Sequence, residues 1–310
     1  MSPLLSITSR QSVKGDMTEQ SRQTASVTIA LAVTTLIAFA SNSVLCRLAL
    51  AQGAIDPTSF TILRILSGAA TLWIISALLR RRSRPRGSWI SAFMLALYAF
   101  TFSYAYVSLS AGTGALILMG AVQATMIVGG IRAGERLIPI QWVGLLLALG
   151  GTVYLVSPGI TGPPVLGSIL MAIAGFAWGG YSLRGRGTDD PITTTTDNFI
   201  RAVPIALGIA LVQLGEMTWS KQGVLLALLS GSLTSGIGYV LWYAALRGLT
   251  ATRAAVAQLT VPVIAAIGGV VFLSEAIVAR LVIASLAVLG GVGLAVAGRV
   301  QRKTKTSAPE

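Results

Sequence analysis

The chain has 310 residues, of which 54% are hydrophobic and only 11% charged, and its net charge is +13. A composition this apolar excludes an ordinary soluble domain. The lack of histidine removes the common zinc sites, Ser-His-Asp triads and imidazole relays, and a lone cysteine, Cys46, excludes an intrachain disulfide.

Residues 1–26 are polar and carry no apolar signal-peptide core with a cleavage site, so they read as a cytoplasmic tail before an uncleaved first span. Ten apolar stretches follow, at about 27–50, 58–79, 88–110, 113–131, 137–157, 164–183, 195–215, 222–246, 251–273 and 277–298. Each is near the roughly 20 residues that a helix needs to cross about 30 Å of hydrocarbon. Lipid offers no hydrogen bonds, so the spans are expected to be helical. Breaks such as "GAIDPTS", "SPGITGPP" and "RGRGTDDP" are marked by Pro and Gly. Residues 299–310 form a second basic tail.

Basic residues set the orientation. One face collects Arg10, Lys14, Arg22, the arginines of residues 80–86, Arg132, Arg136, Arg184, Arg186, Arg247, Arg253, Arg299, Arg302, Lys303 and Lys305. The other offers little beyond Arg47, Lys221 and Arg280. Positively charged loops stay inside, so both termini are expected in the cytoplasm, as an even number of spans requires. The positive charge is thereby accounted for without a nucleic-acid partner.

The chain repeats itself. "FASNSVLCR" (39–47) and "FAWGGYSLR" (176–184) share Phe, Ala and the final Arg at an offset of 137 residues, and Arg64 falls on Arg201 at the same offset. After a three-residue insertion, "GERLIPIQWVGLLLALGG" lands on "SEAIVARLVIASLAVLGG". Glu135 then matches Glu275, and Gly150 and Gly151 match Gly290 and Gly291. The halves, 27–157 and 164–298, hold five spans each. Five is odd, so the second half enters from the opposite face. The expected fold is an all-α integral membrane protein of ten transmembrane helices in two inverted repeats, the architecture of many secondary transporters.

Arg64 and Arg201 lie inside apolar runs. Arg64 is about seven residues into span 2, so roughly 10 Å deep at about 1.5 Å per residue. It is expected to snorkel outward or to pair with Asp56 or a helix-end carbonyl. Arg201 repeats the arrangement beside Asp197. The two read as anchor and packing residues, or as gates, one near each mouth.

On these residues the chain resembles the drug/metabolite transporter superfamily, specifically the ten-helix EamA type, over all ten spans. The carriers are the first-span pattern ending in Arg47 and Arg184, the second-span Arg64 and Arg201, and "VPVIAAIGGVVFLSEA", where Pro262 precedes Glu275 by thirteen residues. Val122 stands where Pro262 predicts a proline, so span 4 is expected to lack a kink that span 9 has. Span 1 has Ser41 and Asn42 where span 6 has Trp178 and Gly179. Within the superfamily the chain is most similar to the YddG-type amino-acid exporters of bacterial inner membranes. That resemblance implies a central cavity lined by spans 1, 3, 4, 6, 8 and 9, with spans 5 and 10 outside it. The paired glycines and the Gly144/Ala148 spacing of span 5 suit close helix packing.

Polar and aromatic residues near the middle of those six spans are the candidate substrate contacts. They are Asn42, Tyr98, Met119, Gln123, Trp178, Ser235, Tyr239, Trp242, Gln258 and Pro262. Side-chain amides donate and accept, which suits a ligand with both an ammonium and a carboxylate. Aromatic faces suit apolar groups or a cation. Bland readings stand beside these. Met119 fits a core, the glutamines fit helix–helix bonds, and Trp73, Trp89, Trp142 and Trp219 fit an interfacial belt or packing.

The expected function is a transporter exporting small neutral or zwitterionic metabolites, foremost amino acids. The ten acidic residues lie in tails, loops or span ends, so a facilitator without a coupling ion is expected. The partners are the small-molecule substrate and the bilayer. One chain holds both repeats, so a monomer suffices, and a dimer is compatible. Multidrug efflux and proton antiport are the alternatives on the same fold, although span 1 has no carboxylate for a quaternary ammonium. An intramembrane protease lacks its histidine or paired aspartates, and a channel lacks a charged ring or filter sequence. No cofactor or metal is expected.

Overall fold

A computed structural model describes residues 5–79, 87–132, 138–157, 162–185, 188–213, 215, 217–249, 254 and 257–306. The basic 80–86 loop, Glu135, Arg136, Pro158 and Arg253 lie outside the described residues. The helices are α1 (Leu5–Ala51), α2 (Pro57–Leu78), α3 (Trp89–Tyr106), α4 (Ala111–Arg132) and α5 (Pro139–Val156). They continue with α6 (Val165–Gly185), α7 (Pro191–Val212), α8 (Lys221–Leu246), α9 (Val261–Leu273) and α10 (Ala279–Thr306). Eight of them are long and apolar enough to cross a membrane, α1 over Ser26–Ala51, and α9 and the Ala279–Ala295 part of α10 are shorter apolar helices. Apolar side chains such as Trp73, Leu146, Val153, Phe272 and Leu286 cover the outer surface, as a hydrocarbon solvent demands.

Helix starts follow local chemistry. Asp56 and Asp190 cap α2 and α7, accepting from the backbone N–H of Ser59 and Thr193, and a proline follows each cap. Proline suits the first turn because the N–H it lacks would be unpaired there. This Asp-Pro start places the beginning of α7 at Pro191, ahead of the 195 expected from hydropathy, where the threonine run hid it. α1 is also longer than its apolar span. No proline interrupts residues 5–51, and the helix runs back through the polar segment to Leu5.

Pro262 sits in the first turn of α9, which starts at Val261, behind helical Ala257 and Gln258 and a turn at Leu259 and Thr260, whereas α4 runs through Val122 without a break. In α8 the ladder loosens into π-helical turns over Ser230–Ile237, a segment rich in serine and glycine. A Cβ on Gly231 would overlap the Arg64 carbonyl and the Ser67 hydroxyl, so the missing side chain is what lets α8 reach α2.

The halves pack across one another. α2 lies on α7, α4 on α9 and α5 on α10; α3 on α6 is answered by α1 on α8, and α4 on α6 by α1 on α9. This pattern is unchanged when the halves are exchanged, which is a pseudo-two-fold arrangement. The α5–α10 pair stands at the side. One glycine of each pair makes that contact. A Cβ on Gly291 would run into the Gly144 carbonyl and the Ala148 backbone, and one on Gly151 into Ala287 and Val288, whereas Gly150 and Gly290 face open space. Backbone cannot yield as a side chain can, so Gly291→Ala should destabilise by about 1–3 kcal/mol, the usual cost of overpacking. Gly290→Ala should stay within about 0.5 kcal/mol. Thermal unfolding of the two variants in detergent checks the contrast; equal midpoints would contradict it.

Candidate functional site

Midway along α3, the Tyr98 hydroxyl collects the polar contacts of the bundle. It accepts from Arg64 Nη2 of α2 at 3.0 Å and from Asn42 Nδ2 of α1 at 3.5 Å. Asn42 Oδ1 in turn accepts from the hydroxyls of Ser230 at 2.7 Å and Thr234 at 3.1 Å. Arg64 Nε points to Ser235 Oγ at 3.4 Å. Helices from both halves thus meet at one buried polar centre. The π-helical turns make this geometry, because they bring Ser230, Thr234 and Ser235 to face α1 and α2 together. Such turns occur frequently at functional sites.

Aromatic rings enclose the centre. Trp178 of α6 is stacked between Tyr181 and Tyr239, with centroids 5.4 Å away on each side and interplanar angles of 23° and 20°. Tyr98 lies 5.0 Å from Trp178 at 43°. Phe39 and Phe199 meet Tyr239 edge-on. The Arg64 guanidinium lies 5.2 Å from the Tyr98 ring centroid and 5.0 Å from that of Phe102.

Arg64 therefore departs from the snorkelling expectation. It is 3% exposed and makes no pair with Asp56. Asp56 accepts instead from the backbone of Ser59 and Thr218. Partners deep in the bundle hold the guanidinium better than a route to the surface would. Arg201 keeps the expected ion pair, 3.1 Å from Asp197, and lies over Trp89. Asp197 also accepts from Gly87 N at 2.8 Å, tying α7 to the start of α3.

Of the sequence candidates, Asn42, Tyr98, Trp178, Ser235 and Tyr239 come together around Arg64. Met119 and Trp242 belong to a neighbouring apolar cluster with Leu36 and Val261. Pro262 is buried at the start of α9, and Gln258 is half-buried just before it. Gln123 faces elsewhere, lining a mainly apolar cavity of about 110 Å³ between α4, α5, α6 and α10, with Gly120, Thr152 and Phe176. Ser230 and Thr234, not among those candidates, complete the centre through Asn42. Their signal was available in "SGSLTSGIGY", where hydroxyls recur at a spacing that π turns align.

A second polar tie closes the ends of α1, α3, α4 and α9. Arg47 Nε meets Glu275 Oε1 at 3.1 Å and Nη1 donates to the carbonyls of Tyr106 and Val107. Glu275 Oε2 accepts from Ala111 N at 2.9 Å. Arg184, the repeat counterpart of Arg47, instead donates to the hydroxyls of Ser91 and Ser88.

A multi-pass helical bundle with a buried polar and aromatic centre is an architecture that membrane transporters use, and the family match assigns the chain to that class. The EamA-like transporter family model matches residues 26–157 and again 165–297, and the chain belongs to that family. It is 49% identical over 282 residues to an uncharacterised protein of Pseudomonas aeruginosa, covering 91% of this chain and 98% of that one. An uncharacterised transporter of Archaeoglobus fulgidus is 28% identical over 259 residues, covering 79% and 88%. A solved crystal structure shares the fold, with a TM-score of 0.61 at 24% identity, over 89% of this chain and 99% of that one.

The two amides now separate. Asn42→Ala should cut flux in proteoliposomes at least about tenfold, the effect of losing one to two net hydrogen bonds. Gln123→Ala should leave flux within about twofold. Parallel loss in both would place Gln123 on the pathway and contradict the assignment.

Proposed function

We propose that this transporter exports small neutral or zwitterionic metabolites, foremost amino acids with apolar or aromatic side chains, from a bacterial cell across its inner membrane. The observation that carries the reading is the centre itself. Asn42, Arg64, Tyr98, Trp178, Ser235 and Tyr239 combine hydrogen-bonding groups with ring faces in the middle of the bundle. The same arrangement weighs against quaternary-ammonium efflux, since a cation would meet Arg64 with no carboxylate beside it among the described residues.

Alternating access follows from two inverted halves around one site. Both termini lie in the cytoplasm in this reading, by the distribution of basic residues. A cysteine at Gly162, in a chain with Cys46 replaced, should react with an impermeant maleimide added outside intact cells. Reaction only after permeabilisation would overturn the orientation.

No ion needs to be coupled. Among the described acids, Asp197 and Glu275 are engaged by Arg201 and Arg47 near helix ends. A transported proton needs a titratable group within the pathway. Substrate flux into proteoliposomes should be the same with and without an imposed pH gradient at matched membrane potential. Accumulation above equilibrium that is driven by the gradient and lost in Asp197→Asn or Glu275→Gln would establish proton antiport instead.

A further inference from the structure

Arg64 is a cation with unused capacity. Its side chain is 3% exposed, and Nη1 has no hydrogen-bond partner among the described residues. The two nitrogens that do have partners meet neutral hydroxyls, of Tyr98 and Ser235. Tyr98 accepts from both Arg64 and Asn42, which leaves its own proton to be donated. Arg64 Nη1 and the Tyr98 hydroxyl thus offer two donors in one place, backed by a full positive charge.

Among the described residues no complementary acid faces them; Glu135, Glu216 and Glu310 lie outside those residues. Asp56 accepts from Ser59 and Thr218, Asp190 from Thr193, Asp197 from Gly87 and Arg201, and Glu275 from Arg47 and Ala111. Asp189 is exposed ahead of α7, and Asp16 and Glu19 precede the apolar part of α1. An ammonium entering the centre would find ring faces and the Asn42 carbonyl oxygen, which already accepts from two hydroxyls. A carboxylate would find a guanidinium, the geometry arginine matches best.

We infer that Arg64 is the anion-recognition residue of this site, and that the ligand is a carboxylate with an apolar or aromatic body whose amino group is dispensable. This rests on the same central site as the transport reading above, and it changes the substrate class. Amino acids become one subset of a wider set of organic monocarboxylates. The Tyr98, Trp178 and Tyr239 rings would receive the body of the ligand, and Arg64 its charged end.

Three matched probes test it: 3-phenylpropionate, which lacks the amine, L-phenylalanine, which has both groups, and 2-phenylethylamine, which lacks the carboxylate. Binding to the purified full-length protein is read by tryptophan fluorescence and by thermal shift. The first two probes should bind within about tenfold of each other, and the amine at least about tenfold more weakly, as loss of a charge-assisted pair requires. Arg64→Gln should lose at least about tenfold for 3-phenylpropionate, with Arg64→Lys between the two. Equal or tighter binding of 2-phenylethylamine overturns the inference, as does unchanged 3-phenylpropionate affinity in a folded Arg64→Gln protein. If that variant does not fold, the ranking of the probes on the wild type decides alone. Phenylalanine flux without 3-phenylpropionate binding overturns the inference and leaves amino-acid transport standing. Binding and flux of 3-phenylpropionate without phenylalanine flux supports it and removes the amino-acid reading.

Discussion

A guanidinium that is 3% exposed in a bundle that faces lipid must be solvated by the protein itself. Insertion scales put an arginine at mid-helix at about 3 kcal/mol. A desolvated cation–π contact contributes about 2 kcal/mol, and Arg64 lies against two rings. Hydrogen bonds to Tyr98 and Ser235 add to this. The cost is met, but only by groups on α2, α3 and α8 held in register with one another. That requirement reaches outward. It needs α8 close to α2, hence the bare backbone at Gly231, and it needs the serine-rich face turned inward, hence the π-helical turns. Asn42 then anchors those turns through Ser230 and Thr234. The site is one connected network in which each polar group is held by another.

The two halves share a packing scheme but not a chemistry. Arg64 and Arg201 coincide in the internal repeat, yet Arg64 meets hydroxyls and rings while Arg201 meets Asp197. The reason is visible one turn before each arginine. Asp197 stands four residues ahead of Arg201 on the same helix face, where the offset of 137 residues puts Phe60 ahead of Arg64. The aspartate-paired arginine ties helix ends together, and the unpaired one has capacity left for a ligand.

Much of the fold was legible because it rests on repetition and hydropathy, which are properties of stretches. The apolar runs marked the helices, and the glycine pairs marked the α5–α10 contact. Single-residue chemistry was harder. Hydropathy placed the start of α7 four residues late, since threonine is mildly polar while Asp190 and Pro191 act by capping. The centre was half legible. Asn42, Tyr98, Trp178, Ser235 and Tyr239 were singled out by chemistry and depth, but depth alone does not fix the face a side chain takes. Gln123 has the right depth on α4 and turns toward α5. Arg64 was judged by its distance from a helix end, and that distance says nothing of what stands beside it. Ser230 and Thr234 are invisible to a 3.6-residue period because the helix does not keep that period there.

The charge of the centre also bears on what drives export. A zwitterion gains nothing from the membrane potential, whereas a monoanion leaving a cell that is negative inside gains about 2.3 kcal/mol per 100 mV. That corresponds to roughly a fiftyfold concentration ratio, enough for export without a coupled ion. The step that feels the field follows from the site. On the proposed reading, a carboxylate on Arg64 would leave the centre neutral, so its change of exposure from one side to the other would cost little electrical work. When the site is empty, it carries one positive charge, held by Tyr98, Phe102 and Ser235. The return of the empty carrier toward the negative cytoplasm is then the step that the potential favours. On the proposed reading, an arginine with no carboxylate partner among the described residues would select the ligand on the way out and couple the reset to the voltage on the way back, so neither task would require a titratable group in the pathway.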